Sequence, residues 1–454
     1  MWLDPWPAPR PAAQIDATVH VPGSKSLTAR YLVLAALADS PSVLTGALAS
    51  RDTTLMISAL RQLGAHIDHE DAEGDRLRVR PAPPTGQAHV DVGLAGTVMR
   101  FVPPIAALAR QPVVFDGDPA ARRRPMAPLI DALRALGVPV EDEGRGHLPF
   151  TVRGTGAVAR HEVEVDASAS SQFLSALLLA APALGGLEVS VAGPVPSRPH
   201  VEMTLAALRD FGAEVEDVSG GDPAGIRSRP RPRPDRSGMV GDPSRVPARM
   251  RLHVGGRLHG RTMAIEPDLS GAAPFLAAGL VAGGRVTVAD WPAITTQPGR
   301  FLPEYLAAFG AHVTWSPAGL TVAGSQRPHG ANLDLAPAGE LAPTLAAIAT
   351  VADGPSRLSG IGHLRGHETD RLAALTREIN RVGAHARELA DGLEITPGPL
   401  RAAVAETYGD HRMATFAAVV GLAVEGMRIR DIATTSKTMP DFPDRWRAMV
   451  EAPQ

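Results

Sequence analysis

The sequence predicts an α/β protein of two lobes, assembled from six similar units with helices packed behind sheets. Three observations predict this. The first is a phrase that recurs five times: Leu or Ile, an apolar residue three positions on, glycine, then a small residue. Its glycines, Gly64, Gly137, Gly212, Gly310 and Gly383, are separated by 73, 75, 98 and 73 positions. The second is a series of Ala/Leu/Val-rich runs that begin near Ser24, Gly96, Ser170, Ser270, Gly339 and Asp410, at spacings of 72, 74, 100, 69 and 71. The third is that the one long gap in both series falls between the third and fourth copies, so the chain divides as three plus three. One lobe is expected over 21–265. The other combines 1–20 with 266–454.

Each element follows from local chemistry. The phrases Leu60–Ala65, Leu133–Val138, Leu208–Ala213, Leu306–Ala311 and Ile379–Ala384 read as last helical turns stopped by glycine in a left-handed cap. A strand-like segment follows each one, such as Glu214 to Val218. The second series reads as buried helices with polar starts, for example Ser170–Ser171–Gln172 before Phe173 to Ala181. The apolar run Phe173 to Leu184 is too short to span a bilayer and contains Pro182, so a buried helix is predicted there. The long gap contains Gly220 to Arg249, dense in Gly, Pro and Arg, and a solvated insertion is expected over 219–250. A nucleic-acid arm is the alternative, but the stretch has no aromatic side chain to stack on bases.

Composition narrows the function. A chain of 454 residues is long enough for two or three domains. Its formal net charge of −3 supplies no global field toward nucleic acid or anionic membrane, so anion binding must come from a local cluster. With no cysteine, disulfides, zinc–thiolate sites and cysteine nucleophiles are excluded. Residues Met1 to Pro11 carry four prolines and no apolar core of a signal peptide, and a cytoplasmic location is expected.

Chemistry collects at the starts of the second helix series. Cations at a helix N-terminus oppose the dipole, yet Lys25 and Arg30, Arg100, and His411–Arg412 stand in or near first turns. Binding of phosphate or carboxylate explains this placement, since helix starts and Arg forks both match those groups. Gly23–Ser24–Lys25–Ser26 is not a P-loop: the earlier glycine is missing, and serine separates Gly23 from Lys25. Arg122–Arg123–Arg124, the dense run His367–Glu368–Thr369–Asp370–Arg371 and Ser436–Lys437–Thr438 extend the cationic set. His363 and His367 are four apart, as metal ligands can be, but no further ligand lies at a compelling spacing. Glu340, an ordinary dipole-stabilising acid by position, and Glu368 are also candidates for proton transfer.

The phrases VPGSKSLTARYLVLAAL, GLAGTVMRF, DASASSQFLSALLL, LRGHETDRL and YGDHRMA resemble those of the EPSP synthases, in the same order, from about residue 14 to 450, with the resemblance failing only in 219–250. The resemblance implies two lobes of three βαβαββ units each, closing over a central cleft. It implies enolpyruvyl transfer from phosphoenolpyruvate to shikimate 3-phosphate, without cofactor or metal, in aromatic amino acid biosynthesis. By the same resemblance, Lys25, Ser26 and Arg30 match the first substrate-binding phrase. Ser170, Ser171 and Ser197 match residues that hold shikimate 3-phosphate, and Gln172 is expected to touch both ligands. Lys25, Gly96, Arg124, Arg371, Arg412 and Lys437 match the phosphoenolpyruvate clamp.

Glu340 falls where the family has its proton-accepting carboxylate, His367 where many members have Lys, and Glu368 matches a second catalytic acid. Departures are Leu94 for Asn, Phe101 for Pro, Ala29 for Asn and His200 for Tyr; they bear on fine contacts and inhibitor response. Gly96 leaves room beside the donor pocket, and inhibition by the phosphonate glyphosate is expected. The expected partners are these two small molecules, with no nucleic acid and no membrane, and a monomer is expected. The nearest rival, UDP-N-acetylglucosamine enolpyruvyl transferase, typically uses a loop cysteine that this chain lacks. A non-catalytic phosphate- or RNA-end-binding protein is disfavoured by the two acids among the cations.

Overall fold

The computed structural model describes residues 4–84, 87–219, 250–324 and 327–451. The Arg/Pro-rich stretch predicted as an insertion lies outside them apart from its two ends. Twelve helices are described. They alternate between buried inner helices and amphipathic outer ones. The inner set is α1 (Lys25–Leu37), α3 (Gly96–Ala106), α5 (Ser171–Ala180), α7 (Leu269–Val281), α9 (Ala342–Val351) and α11 (His411–Ala423). The outer set is α2 (Arg51–Gln62), α4 (Ala127–Ala135), α6 (Arg198–Asp210), α8 (Leu302–Ala308), α10 (Arg371–Arg381) and α12 (Phe442–Val450).

The inner helices are apolar all round because they are enclosed all round: every residue of α9 is buried, and all of α5 except Gln172. α1, α3 and α5 pack on one another, and so do α7, α9 and α11. The outer helices bury one stripe, as α10 buries Leu372, Leu375 and Ile379. Five of them end in the recurring glycine, and Gly64, Gly137, Gly212, Gly310 and Gly383 all have positive φ, between 87° and 107°. The sixth, α12, is followed by Glu451 instead of glycine.

Five units carry four-stranded sheets of one pattern. In the second, Ala88–Asp91 runs parallel to Pro112–Asp116, which pairs antiparallel with Phe150–Arg153, which pairs antiparallel with Val140–Glu141. The helices α3 and α4 sit between successive strands, which makes the unit βαβαββ. The sixth unit departs: Val404–Ala405 and Arg428–Ile429 form a parallel pair whose third strand is Trp6–Pro7 from the other end of the chain.

Two units borrow their first strand. Ile15–Val19 runs beside Gly284–Val288 in the fourth unit, and Thr262–Ala264 beside Ser42–Thr45 in the first. The chain therefore passes between the lobes twice, and the two passages are joined. Ser24 donates its N–H to the Glu266 carbonyl at 2.8 Å, and Asp268 donates to the Pro22 carbonyl at 2.8 Å. Gly23 is required here, since a Cβ would stand 1.8 Å from the Gly46 carbonyl oxygen. One hydrophobic cluster runs from Leu27 to Ile265; the other unites Trp6, Ile15 and Val19 with Leu269 to Val450.

Candidate active site

All six inner-helix starts contribute to the wall of one cleft of about 180 Å³ between the lobes. Lys25 and Ser26, Gly96 and Thr97, Ser170 and Gln172 line it from one side; Ser270, Glu340, and His411 and Arg412 line it from the other. Helix starts carry unpaired N–H groups and a positive dipole end, and six of them face one space. Four of the helices have side-chain caps: Ser24, Ser170, Asp268 and Asp410 accept from first-turn N–H groups. α3 has none, so its start at Gly96 and Thr97 has no side chain bonded to its N–H groups.

The wall holds six Lys and Arg side chains (Lys25, Arg100, Arg124, Arg371, Arg412, Lys437) against four carboxylates (Asp52, Asp268, Glu340, Glu368). Lys437 Nζ lies 2.5 Å from Glu368 Oε1, and Arg371 Nη2 lies 3.0 Å from Oε2. Arg371 also donates to Asp410 at 2.8 and 3.2 Å. Arg412 donates to the Ser270 carbonyl at 2.7 Å. Lys25 Nζ is 3.7 Å from Asp52. By contrast, Arg100 and Arg124 have Nε atoms buried without a hydrogen-bond partner among the described residues, as does Oε1 of Gln172. A Cβ on Gly96 would come within 2.9 Å of Arg100 Nη1 and 3.0 Å of Arg124 Nη1, so glycine leaves both guanidinium tips their place.

Electrostatics follow from this crowding. Burial alone would raise the Glu368 carboxyl, but Lys437, Arg371 and Arg124 hold it well below the usual carboxylate range. Burial also works to raise Glu340, and His200, its own backbone N–H and Arg412 outweigh it, so its pKa is lowered. Burial pushes Lys25 down, a push that Asp52 opposes and Lys437 and Arg412 reinforce. His367 and His411 are pushed well below the ordinary imidazole value, by burial first and then by Arg371 and Arg412 respectively.

Of the residues predicted from sequence, Lys25, Ser26, Gly96, Arg124, Ser170, Gln172, Glu340, His367, Glu368, Arg371, Arg412 and Lys437 share the cleft wall. Three do not. Arg30 is 2% exposed, and its guanidinium is consumed by Thr204 Oγ1 at 2.8 Å and the carbonyls of Ser26 and His200 at 2.9 and 3.0 Å. A buried cation needs such partners, and these leave it facing the helix interface rather than the cleft. Ser171 is buried behind the wall, and Ser197 stands 3.5 Å from His363 Nε2. In the Arg122–Arg124 run only Arg124 reaches the cleft; Arg122 pairs with Asp116, and Arg123 is exposed.

Sequence reasoning missed Asp52, Asp268 and Gln297, which also line the cleft. Asp268 was legible as an N-cap two residues before the predicted start at Ser270. The other two carry no local signal, since each reaches the cleft from a different element. His363 and His367 have rings 5.9 Å apart, and no group of three His, Asp or Glu among the described residues is placed to hold a metal ion.

The profile of the family described as EPSP synthase (3-phosphoshikimate 1-carboxyvinyltransferase) matches residues 9–248 and 242–446. The 3-phosphoshikimate 1-carboxyvinyltransferase of Kocuria rhizophila is 50% identical over 458 residues, covering 98% of this chain and 97% of the relative. That of Mycobacterium ulcerans is 48% identical, covering 99% and 98%. Among solved structures, an EPSP synthase from Acinetobacter baumannii superposes with a TM-score of 0.74 at 24% identity over 96% of each chain, a likeness of fold.

Proposed function

The chain belongs to the EPSP synthase family, and on that premise we propose how its cleft performs the family reaction. That reaction moves the carboxyvinyl group of phosphoenolpyruvate to the 5-hydroxyl of shikimate 3-phosphate and releases phosphate, a step of the shikimate route to aromatic amino acids. The observation that carries the assignment of roles is the convergence of six cations on a cleft that also holds two buried glutamates. Two multiply anionic substrates repel each other, and a surplus of fixed cations offsets that repulsion.

In this reading Glu340 takes the proton of the 5-hydroxyl as its oxygen bonds to carbon 2 of phosphoenolpyruvate. A proton goes to carbon 3, converting the methylene to methyl. Glu368 is held ionised by Lys437 and Arg371 and has no proton to give, so Lys437, hydrogen-bonded to it, is the donor. In the second step the neutral Lys437 takes a proton back from that methyl group, the carbon–oxygen bond to phosphate breaks, the carbon–carbon double bond returns, and the departing phosphate takes up the proton held by Glu340. Arg124, Arg371, Arg412 and Lys25 stabilise the carboxylate and departing phosphate. Ser26, Ser170 and Gln172 hold the acceptor and His367 contacts the donor, while Ser171, Ser197 and Arg30 support the wall from behind.

We take 21–265 and 1–20 with 266–454 as the lobes, a division supported by the two hydrophobic clusters. Closure of one on the other would exclude water from the reacting atoms. The enzyme is expected to work as a monomer in the cytoplasm, since one chain supplies every wall of the cleft. Phosphate release from phosphoenolpyruvate tests the function. Release that requires shikimate 3-phosphate supports it; release only with UDP-N-acetylglucosamine, or none with either acceptor, overturns it.

A further inference from the structure

Glu340 is reached from the opposite lobe. Its Oε1 accepts from Ser270 Oγ at 3.3 Å within its own lobe, and His200 Nε2 stands 3.5 Å from the same oxygen across the cleft. His200 is not isolated in this. It belongs to the start of α6, where Ser197 Oγ lies 3.5 Å from His363 Nε2, and Glu202 accepts from Arg300 at 3.0 Å. His363 and Arg300 both belong to the half of the chain that carries Glu340. Three contacts in the first turns of one helix thus cross to the other lobe.

The helix that makes them is itself held. Arg30 donates to the backbone carbonyls of both His200 and Ser26, and lies over the Phe101 ring at 5.3 Å. The backbone that presents His200 is thereby tied to α1, whose first turn presents Lys25 and Ser26 to the cleft.

We propose that His200 is a positioning residue for the base Glu340, holding the carboxylate in its working orientation only while the lobes are together. The proposal rests on the assignment of Glu340 as base. A carboxylate held only within its own lobe, by Ser270 Oγ and its own backbone N–H, keeps freedom to rotate. A second partner across the cleft removes that freedom, and opening the lobes restores it. The arrangement also acts on protonation. The groups facing Glu340 are His200 from α6, Arg412 from α11, Arg371 from the start of α10, His363 from the turn Gly362–Gly366 and Tyr305 from α8. His200 is the largest of the influences that lower the Glu340 carboxyl against the upward push of burial. Its removal leaves Arg412 in place but moves the carboxyl upward.

The test is the pH profile of kcat for the full-length enzyme, its His200→Leu and His200→Gln variants, and each combined with Glu340→Gln. With thermal unfolding unchanged, His200→Leu is expected to lower kcat about tenfold or more while KM values change less than about threefold. The acid limb of its profile should move upward by about one pH unit. His200→Gln keeps an N–H donor and should recover most of the loss. In the Glu340→Gln background, His200→Leu should cost nothing further. A His200→Leu variant with wild-type kcat and acid limb overturns the proposal, as does a full additional loss in the Glu340→Gln background. Near-normal turnover of Glu340→Gln alone instead removes the base assignment, and is separable because it does not depend on residue 200.

Discussion

Glu340 and Glu368 are both buried carboxylates in one cleft, and their neighbours give them different work. Glu368 is gripped by Lys437 at 2.5 Å and Arg371 at 3.0 Å, which suits a fixed negative charge that orients cations. Glu340 is held more loosely, by a hydroxyl at 3.3 Å, an imidazole at 3.5 Å and its own backbone N–H, which leaves it able to accept a proton. Glu340→Gln should therefore lower kcat about a hundredfold or more with KM little changed, as steady-state kinetics would register. The pH dependence has a definite sign. In the free cleft the Glu340 carboxyl is lowered, so the acid limb of kcat/KM should lie below the ordinary glutamate value. Two bound anions raise it, so the acid limb of kcat should lie at higher pH than that of kcat/KM; coincident limbs would contradict the assignment. Gly96→Ala crowds the guanidinium tips of Arg100 and Arg124. It should raise KM for phosphoenolpyruvate and weaken inhibition by glyphosate, which the wild type should show at millimolar concentration.

At the scale of elements, the inner helices do two jobs with the same residues. Their bodies fill the cores, and their first turns face the cleft, so residues that cap or brace those turns are structural first. Asp410 caps α11 and is the double acceptor of Arg371, with both side chains nearly inaccessible. Arg30 braces α1 against α6 through two hydrogen bonds, to Thr204 and His200, and bonds the Ser26 carbonyl of its own helix. Arg30→Met should cost about 2 kcal/mol in urea unfolding, because it removes the three charge-assisted hydrogen bonds of a buried guanidinium. Its effect on shikimate 3-phosphate affinity should be small by comparison, in contrast to the direct contact that sequence resemblance implies. A large loss of affinity at unchanged stability would restore Arg30 to the binding site.

For the whole molecule, the joined double passage at Gly23 and Pro267 links the lobes while each keeps its own hydrophobic core. The Arg/Pro-rich stretch 220–249 lies outside the described residues, but its flanks meet in one sheet. The strands on either side of it, Glu214–Asp217 and Arg251–Gly255, pair antiparallel, and Val218 donates to the Arg251 carbonyl at 2.8 Å. Replacing 220–249 by a short turn should therefore leave kcat within about twofold and stability unchanged or slightly raised, since a shorter closure costs less entropy. A collapse of activity in that variant would assign the stretch a role in the reaction.

The sequence by itself determined the repeat, the positions of the outer-helix stops and the inner-helix starts, because a glycine cap and an apolar run are local features that report their own conformation. It also determined most of the cleft: a cation in a first turn is locally unfavourable, so its presence points to a ligand. Only the tertiary structure decided which polar residues at those starts face the cleft and which face a neighbouring helix. Arg30 lies one helical turn beyond Ser26 on α1, yet their side chains have different surroundings, because α6 covers one and the cleft borders the other. It likewise decided that Ile15–Val19 and Thr262–Ala264 complete sheets distant in the chain. The same holds for His200 of one lobe meeting Glu340 of the other, and for Lys437 meeting Glu368. These are contacts between residues far apart in sequence. No local pattern encodes them, since the energy that selects them is gained only when the lobes and their cores are assembled.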